Sequence, residues 1–263
     1  MILPRLKRLG IGLLPVFAFL LFREPIPPNL AADERVLLLT AHPDDECFFF
    51  GPTLLALSPQ TDNLFSLTVS NGNNDGIGSR REPELRSSLA ILGIPPERSF
   101  LLNHPLLQDN FTQAWDADII VESVLPYVIQ HNITLLLTFD DKGVSSHPNH
   151  YSLYYGSQQL LDSLPKDAVH LRAYALKTYP IYIKYSGWIT IFSKFYLYAY
   201  QTGDAISSGI PTLRFTSGIA SYLTIFRAMN QHHSQMVWFR WLYLLFSSYM
   251  WRNDWIEIER HVE

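Results

Sequence analysis

Short apolar runs alternate with longer helical stretches along the chain after Asp33. Apolar runs of about four to eight residues, bounded by polar or turn-forming residues, are typical of buried strands. Five of them predict strands, at residues 35–41, 64–70, 99–103, 134–139 and 171–177. Four stretches between them predict helices, at residues 46–57, 82–92, 116–130 and 147–164. Because strands that alternate with helices form βαβ units, the pattern predicts an α/β fold with a Rossmann-like, largely parallel sheet flanked by helices.

Two strongly aromatic stretches follow in the second half, at residues 179–200 and 236–251. In the second stretch an apolar stripe recurs at helical spacing, formed by Trp238, Trp241, Leu245 and Tyr249. A helix buried in the core is one interpretation of this stripe. The other is a membrane-proximal helix lying in the surface layer of a bilayer, where Trp and Tyr are enriched. Neither stretch predicts a transmembrane helix, because lysine or arginine interrupts both.

The amino-terminal segment has the pattern of a membrane anchor or of a signal peptide. Three basic residues precede residues 9–22, which carry no charge. This apolar run is short for a transmembrane helix, which needs roughly 20 residues. A cleaved signal peptide fits its length, and a buried core helix is the third alternative. We expect residues 1–30 to form a hydrophobic anchor, retained or cleaved, and residues 33–263 to form the main domain.

Composition narrows the class of protein. The net charge is −4 over 263 residues and the pI is about 6.1, which argues against a nucleic-acid-binding protein. Cys47 is the only cysteine, so no intramolecular disulfide can form, which is compatible with a reducing compartment. A mean hydropathy of +0.04 is high for a soluble enzyme, so we expect part of the apolar surface to face a membrane.

Imidazole and carboxylate side chains follow two of the predicted strands. His42, Asp44 and Asp45 come directly after the first strand, and His147 and His150 follow the fourth. Since ligands of open α/β sheets bind outside the carboxyl ends of the strands, we expect the two groups to meet. Imidazole nitrogen and carboxylate oxygen are ligands of zinc, and a catalytic zinc keeps three protein ligands and one water. The sequence therefore predicts a zinc site, although Fe²⁺ or another divalent ion accepts the same ligands.

The spacing of these residues indicates which of them can bind a metal and which can act on the attacking water. His147 and His150 lie three apart at a predicted helix start, so they share a face. Asp44 and Asp45 are adjacent and point in different directions. One can bind a metal while its neighbour accepts a proton from water, as hydrolysis requires. The alternative for the two aspartates is capping of a helix.

The motif from His42 to Glu46, together with the distal pair of histidines, resembles the LmbE-like (PIG-L) zinc deacetylases. Further stretches resemble motifs of that family, at residues 49–53, 70–73, 81–85, 92–94, 139–145, 232–235, 238–240 and 249–250. The resemblance runs from about residue 35 to about residue 255. The eukaryotic branch is the more similar one, and its members remove the acetyl group from N-acetylglucosaminyl-phosphatidylinositol in GPI-anchor biosynthesis.

The resemblance implies a role for each residue of the main motifs. A zinc ion would be held by His42, Asp45 and His150. Asp44 would act as general base towards the attacking water. Protonated His147 would stabilise the oxyanion that forms at the N-acetyl carbonyl.

The other motifs imply contacts to the substrate. Arg81 is the expected contact to its polar or phosphate part. Asp140 is expected at the site as a partner of the histidines. His232 is expected at the substrate, with the adjacent His233 as the alternative. Asn149 stands where many bacterial members of the family carry Asp, so the resemblance does not fix how the protonation of His147 is controlled.

The resemblance also implies a location and partners. Members of the eukaryotic branch lie in the endoplasmic-reticulum membrane with the catalytic domain facing the cytosol, and their partners are the glycolipid substrate and the membrane. The basic residues before Leu9 predict the opposite orientation. The sequons at Asn110 and Asn132 provide a test, because glycosylation would place the domain in the lumen.

Two other functions stay open at this point. A membrane-anchored glycosyltransferase could use Asp44 and Asp45 to hold a metal and a nucleotide sugar, but this leaves the histidines without a role. A non-catalytic glycolipid-binding relative is the second alternative. It is disfavoured because every expected ligand type is present.

Overall fold

A seven-stranded sheet lies at the centre of the computed structural model, which describes residues 28, 31, 33–165, 170–187 and 212–261. Its strands are β1 Val36–Thr40, β2 Leu64–Thr68, β3 Ser99–Leu101, β4 Leu135–Phe139, β5 Arg172–Leu176, β6 Thr212–Thr216 and β7 Arg252–Glu257. The order across the sheet is β3-β2-β1-β4-β5-β7-β6. The first five strands are parallel, and β7 runs antiparallel to both β5 and β6. The predicted α/β fold with a largely parallel sheet is therefore confirmed.

The helices that flank this sheet within the described ranges include α1 Asp45–Phe49, α2 Gly51–Leu57, α3 Gly78–Ile91, α4 Ala117–Gln130, α5 Pro148–Ser163, α6 Ile181–Lys184, α7 Ile219–Met229 and α8 Trp238–Phe246. The central strands β1, β2 and β4 are buried along their whole length. Their side chains form the core together with the inner faces of the helices. Such strands read as continuous apolar runs because helices cover both faces of the sheet.

The strand order places a topological switch point at the centre of the sheet. From β1 the chain builds outward through β2 and β3 on one side, and β4 and β5 lie on the other. In open α/β sheets the crevice outside the carboxyl ends of the two strands at such a point is where ligands bind. The carboxyl ends of β1 and β4 flank this crevice.

The helix predicted over residues 46–57 is two helices, α1 and α2. Pro52 has no N–H to donate to the carbonyl of Phe48, so a continuous helix is interrupted there. The hydroxyl of Tyr243 donates to the Phe48 carbonyl instead, at 2.6 Å. The Asn253 side chain donates to the Phe49 carbonyl at 2.7 Å. Side chains from α8 and β7 thus satisfy the carbonyl groups that the break leaves free.

The aromatic stripe of the second half does not lie in the core. Trp238, Trp241 and Leu245 are on α8 and are exposed, while Tyr249 lies beyond the end of that helix and is buried. The interpretation as a buried helix is therefore wrong. The predicted anchor, apart from Pro28, and residues 188–200 of the first aromatic stretch lie outside the described residues. In the part that is described, every helix is too short or too polar to cross a bilayer.

Candidate active site

A cavity of about 670 Å³ opens at the carboxyl ends of β1 and β4. Its floor carries the imidazole and carboxylate groups of the predicted site, including His42, Asp44 and His147. Its rim is apolar and includes Phe239 and Phe246 of α8. The volume lies in the range of small-molecule sites, which usually combine an apolar lining with a few placed polar groups.

Three of the predicted metal ligands converge on the floor of this cavity. One ligand atom each of His42, Asp45 and His150 lies within 4.8 Å of the others. His150 Nε2 is 3.2 Å from Asp45 Oδ1, and His42 Nδ1 is 3.8 Å from Asp45 Oδ2. Two ligand atoms that each lie about 2.1 Å from a tetrahedral ion are roughly 3.4 Å apart. The three side chains are therefore close enough together to share one cation.

The hydrogen bonds around the two imidazoles fix which nitrogen faces this point. His150 Nδ1 lies 3.2 Å from the Gly143 carbonyl, so it donates and leaves the lone pair on Nε2. His42 Nε2 lies 3.1 Å from the Asn149 side-chain oxygen and 3.3 Å from an Asp109 oxygen. The side-chain oxygen of Asn149 can only accept, so the proton is on Nε2 and the lone pair is on Nδ1. Burial lowers the pKa of His42 to about 4, so the ring is neutral at pH 7 and can bind a metal.

Gly143 makes the approach of His150 possible. Its φ is +54°, and a Cβ at this position would lie 2.9 Å from the His150 Cβ. A larger residue would therefore push the loop away from the ring. The Asp45 carboxylate is fixed as well, since Oδ2 accepts from the backbone N–H of Ala41 and of His42 at 3.0 and 2.8 Å. Burial opposes its ionisation, but the charges and hydrogen bonds of His150 and His42 together outweigh burial and lower the pKa of Asp45.

Asp44 lies beside this cluster in a strained conformation. Its φ is 109°, a region that residues with a Cβ rarely occupy. The backbone N–H donates to Glu46 Oε2 at 3.0 Å, which holds the strained turn in place. Its Oδ2 is buried and accepts no hydrogen bond from the described residues, although Arg240 and Arg81 lie 3.2 and 3.6 Å away. Burial raises the pKa of Asp44 against the opposing effect of the two guanidinium groups. Asp44 Oδ2 is thus a charged oxygen whose hydrogen-bonding capacity the described residues leave unused.

His147 is the N-cap residue of α5 and faces the other side of the cavity. Its Nδ1 accepts the backbone N–H of Asn149 at 3.3 Å, so the proton of the neutral ring is on Nε2. Its ring centroid lies 4.9 Å from that of His42 and 4.7 Å from that of His150. Burial, followed by the repulsion of these two imidazoles, lowers the pKa of His147 to about 4. The ring is therefore neutral near pH 7, whereas the sequence resemblance implies a protonated one.

Arg81 lines the cavity, but most of its contacts are internal. One guanidinium nitrogen donates to the Gly72 carbonyl at 2.9 Å, and the other donates to the Pro43 carbonyl at 2.5 Å. Arg81 also lies 3.5 Å from Asp109. The side chain joins the loops that follow β1 and β2, and it faces the Asp44 carboxylate. The structure supports a positioning role at least as strongly as the expected substrate contact.

The structure does not bring Asp140 or His232 to the cavity. The Asp140 carboxylate accepts from the backbone and hydroxyl of Thr178, both at 2.6 Å, and these bonds fix the loop after β4. His232 is fully buried, and its Nε2 lies 2.6 Å from Glu46 Oε1. A direct substrate contact by either residue therefore has no geometric support. His233, the alternative, is exposed.

Two functional candidates were missed from the sequence. Asp109 lies in the connection after β3, and inspection of this third strand end would have found it. Arg240 of α8 approaches Asp44 and also lies 4.2 Å from the centroid of the Phe48 ring. Arg240 is almost 200 residues from Asp44 along the chain, and no spacing within the sequence indicates that the two meet.

Comparisons with known proteins show which proteins this chain resembles. The family model described as PIG-L: GlcNAc-PI de-N-acetylase matches residues 37–161. The N-acetylglucosaminyl-phosphatidylinositol de-N-acetylase of Bos taurus is 36% identical over 222 residues, covering 84% of this chain and 82% of that protein. The enzyme of the same name from Saccharomyces cerevisiae is 31% identical over 255 residues, covering 88% and 84%. Among solved structures, a zinc-inhibited form of teicoplanin deacetylase has a TM-score of 0.58 at 13% identity, covering 87% of this chain and 99% of that one. This last likeness shows that the fold is shared.

Proposed function

Because the chain belongs to the PIG-L family of GlcNAc-PI de-N-acetylases, we propose that it hydrolyses the N-acetyl group of N-acetylglucosaminyl-phosphatidylinositol. The products are glucosaminyl-phosphatidylinositol and acetate, in GPI-anchor biosynthesis. The observation that carries the proposal is the convergence of His42, Asp45 and His150 beside the buried carboxylate of Asp44, one oxygen of which accepts no hydrogen bond from the described residues.

The residues present fit a divalent cation, and we propose zinc. His42 Nδ1, an Asp45 oxygen and His150 Nε2 would hold it, and both imidazoles have their second nitrogen fixed by a protein acceptor. When bound, such an ion polarises a carbonyl and makes water more acidic. Ferrous iron accepts the same donor set.

Asp44 is placed to accept the proton of the attacking water. Asp44 lines the cavity, and the neighbouring Arg81 and Arg240 stabilise the carboxylate form. As the water oxygen bonds to the amide carbon, one water proton passes to Asp44. That proton is then available for the sugar nitrogen, which leaves as an amine when the C–N bond breaks.

His147 is placed to stabilise the charge that develops on the carbonyl oxygen. With Nδ1 occupied by the Asn149 N–H, its Nε2–H can donate into the cavity as a neutral imidazole. A donor that is already oriented costs no reorganisation during the reaction. Phe111, whose ring centroid lies 4.8 Å from that of His147, covers the ring on the solvent side.

An acetate-release assay on N-acetylglucosaminyl-phosphatidylinositol tests this function. Acetate should appear with the purified protein, disappear after chelation and return when zinc is added. Soluble N-acetyl sugars serve as the comparison substrates. Absence of acetate from the metal-loaded protein would contradict the proposal, and turnover of a nucleotide sugar in its place would favour the glycosyltransferase alternative.

We also propose that the protein works at the endoplasmic-reticulum membrane with this domain in the cytosol. The resemblance to the eukaryotic branch and the single, buried cysteine support this placement. The sequon at Asn132 is the sharper test, because Asn132 is exposed whereas Asn110 is half-buried. Glycosylation of Asn132 in cells would place the domain in the lumen and overturn the proposal.

A further inference from the structure

A continuous apolar surface borders the mouth of the cavity. We call it the apolar rim and define it by the exposed side chains Ile181, Tyr182, Ile183, Tyr185, Val237, Trp238, Phe239, Trp241, Leu242, Leu245 and Phe246. These are most of the large apolar side chains that are exposed in the described part of the chain. Trp238 is 75% exposed and Tyr182 is 74% exposed. Apolar side chains gathered in this way mark an interaction surface, unlike those scattered singly.

The two segments of the rim form one rigid unit on the core. The Ser248 hydroxyl, just beyond α8, donates to the Ile183 carbonyl at the end of α6. On the inner face of α8, Leu244 is buried, and its carbonyl accepts the Tyr222 hydroxyl at 3.1 Å. The Tyr243 hydroxyl is bonded to the Phe48 carbonyl at the site. Because the inner face of α8 is fixed against the core by these contacts, its outer face points away from the core.

The rim is continuous with the floor of the active-site cavity. Phe239, Leu242 and Phe246 line that cavity together with the predicted metal ligands. Tyr185 lines it from the other segment. A molecule whose polar head occupies the cavity would extend directly over this surface.

Charge on the rim is sparse and basic. Arg240 is the only charged residue of α8, and Lys184 is the only one of α6. Both line the cavity instead of interrupting the outer surface. Trp and Tyr side chains favour the headgroup layer of a bilayer. An apolar face with aromatic residues and no carboxylate suits a phospholipid surface, because inositol phospholipids are anionic.

We propose that the apolar rim lies in the surface layer of a lipid bilayer, so that the cavity opens onto the membrane. The inference rests on the proposed function, since it takes a phosphatidylinositol lipid as the substrate. The acyl chains of the substrate stay in the bilayer beside α6 and α8 while its sugar enters the cavity. This contact is separate from any contact made by residues 1–30.

Depth-dependent quenching tests this contact on the full chain. Single cysteines at Tyr182 and Leu245 carry an environment-sensitive fluorophore. The matched control is Ile129→Cys, an exposed position at the end of α4, which leads into the amino end of β4, whereas the cavity opens at the carboxyl ends of the strands. Cys47 is fully buried, and labelling of the unsubstituted chain measures its background. The probe is a phosphatidylcholine vesicle that contains phosphatidylinositol and brominated lipid.

Vesicles should quench the labels at 182 and 245 and leave the label at 129 unchanged. Equal quenching at all three positions, or none, would overturn the proposal. Protection of the rim labels without quenching, accompanied by a dimer mass in light scattering, would show that the rim binds a second copy of the chain and would also overturn it.

A kinetic comparison separates this inference from the proposed function. Trp238→Glu changes a rim residue that does not line the cavity, and a Glu in the first turn suits the helix. It should lower kcat/KM on vesicle-borne substrate roughly tenfold, the equivalent of losing burial of part of one large apolar side chain. Turnover of the deacylated substrate should be unchanged, and Ile129→Glu should affect neither substrate.

Equal turnover of both substrates by Trp238→Glu and the parent protein would contradict the rim's role. If the parent released no acetate from either substrate, the proposed function would fail. The quenching result would still decide whether the rim contacts lipid.

Discussion

Replacement of His232 by alanine should destabilise the protein far more than replacement of its neighbour. His232 and Glu46 are both fully buried and lie 2.6 Å apart. Burial opposes protonation of His232, but the charge and hydrogen bond of Glu46, together with the charges of Asp44 and Glu84, outweigh burial and raise the pKa of the imidazole. In His232→Ala the Glu46 carboxylate loses this partner, although the Ser88 hydroxyl and the Asp44 N–H still donate to it.

The expected loss is large for a protein of this size. Removing one partner of a buried ion pair costs about 3–5 kcal/mol, a substantial part of the ~5–15 kcal/mol that stabilises a typical domain. His233→Ala is the matched control, because His233 is adjacent and exposed. It should change the free energy of unfolding by no more than about 0.5 kcal/mol.

Urea denaturation at neutral pH measures both variants, and acetate release is measured on the folded protein. We expect His232→Ala to have a lower kcat and a nearly unchanged KM, because Glu46 holds the strained turn at Asp44. If His232→Ala is as stable as His233→Ala, the buried pair of His232 and Glu46 does not stabilise the fold. A raised KM at unchanged stability would show that His232 contacts the substrate, as the sequence resemblance implies.

Two further variants test the packing around the sheet. Burial opposes ionisation of Asp254, but hydrogen bonds from Arg252 and the charge of Arg214 outweigh burial and lower the pKa of this carboxyl group. The ionised carboxylate therefore stabilises the fold above the unfolded pKa near 3.8. This stabilisation is lost as the pH falls through the lower pKa of the folded state. Asp254→Asn should lower the free energy of unfolding by about 1–3 kcal/mol at pH 7. The difference in melting temperature between this variant and the parent should shrink below about pH 4. A difference in melting temperature that does not change with pH would contradict this. Gly51→Ala places a Cβ 2.7 Å from the Ile225 side chain and should cost about 1–3 kcal/mol by overpacking, which equal denaturation midpoints would refute.

The sequence predicts the parallel half of the sheet well and the antiparallel part poorly, for one physical reason. Strands β1 and β4 are covered on both faces, so nearly every position is apolar and the run is recognisable. Strands β6 and β7 mix polar and apolar residues instead, and Arg214 is paired with Asp254 and Phe215 with Asn253. Such strands have no continuous apolar run, and the sequence offers no sign of which other strand they join.

The site shows the same division between local and distant information. His42 and His150 are recognisable because the parallel-sheet rule brings strand ends together, and the structure places the two ring centroids 5.4 Å apart. The approach of Arg240 to Asp44 depends on how α8 folds back over the sheet, which local patterns do not encode. The apolar stripe on α8 was open to misinterpretation for a related reason. Helical spacing shows that a helix has an apolar face, but it does not show whether protein or solvent covers that face.

Metal content and acetate release, measured together on two variants, test the central claim most directly. Asp44→Asn should retain the bound metal of the parent protein while acetate release falls by about 10²–10⁴, the contribution of a general base. His150→Gln should lose the metal and the activity together. Near-normal acetate release by Asp44→Asn, or full metal content in an inactive His150→Gln, would contradict the assignment of these two residues.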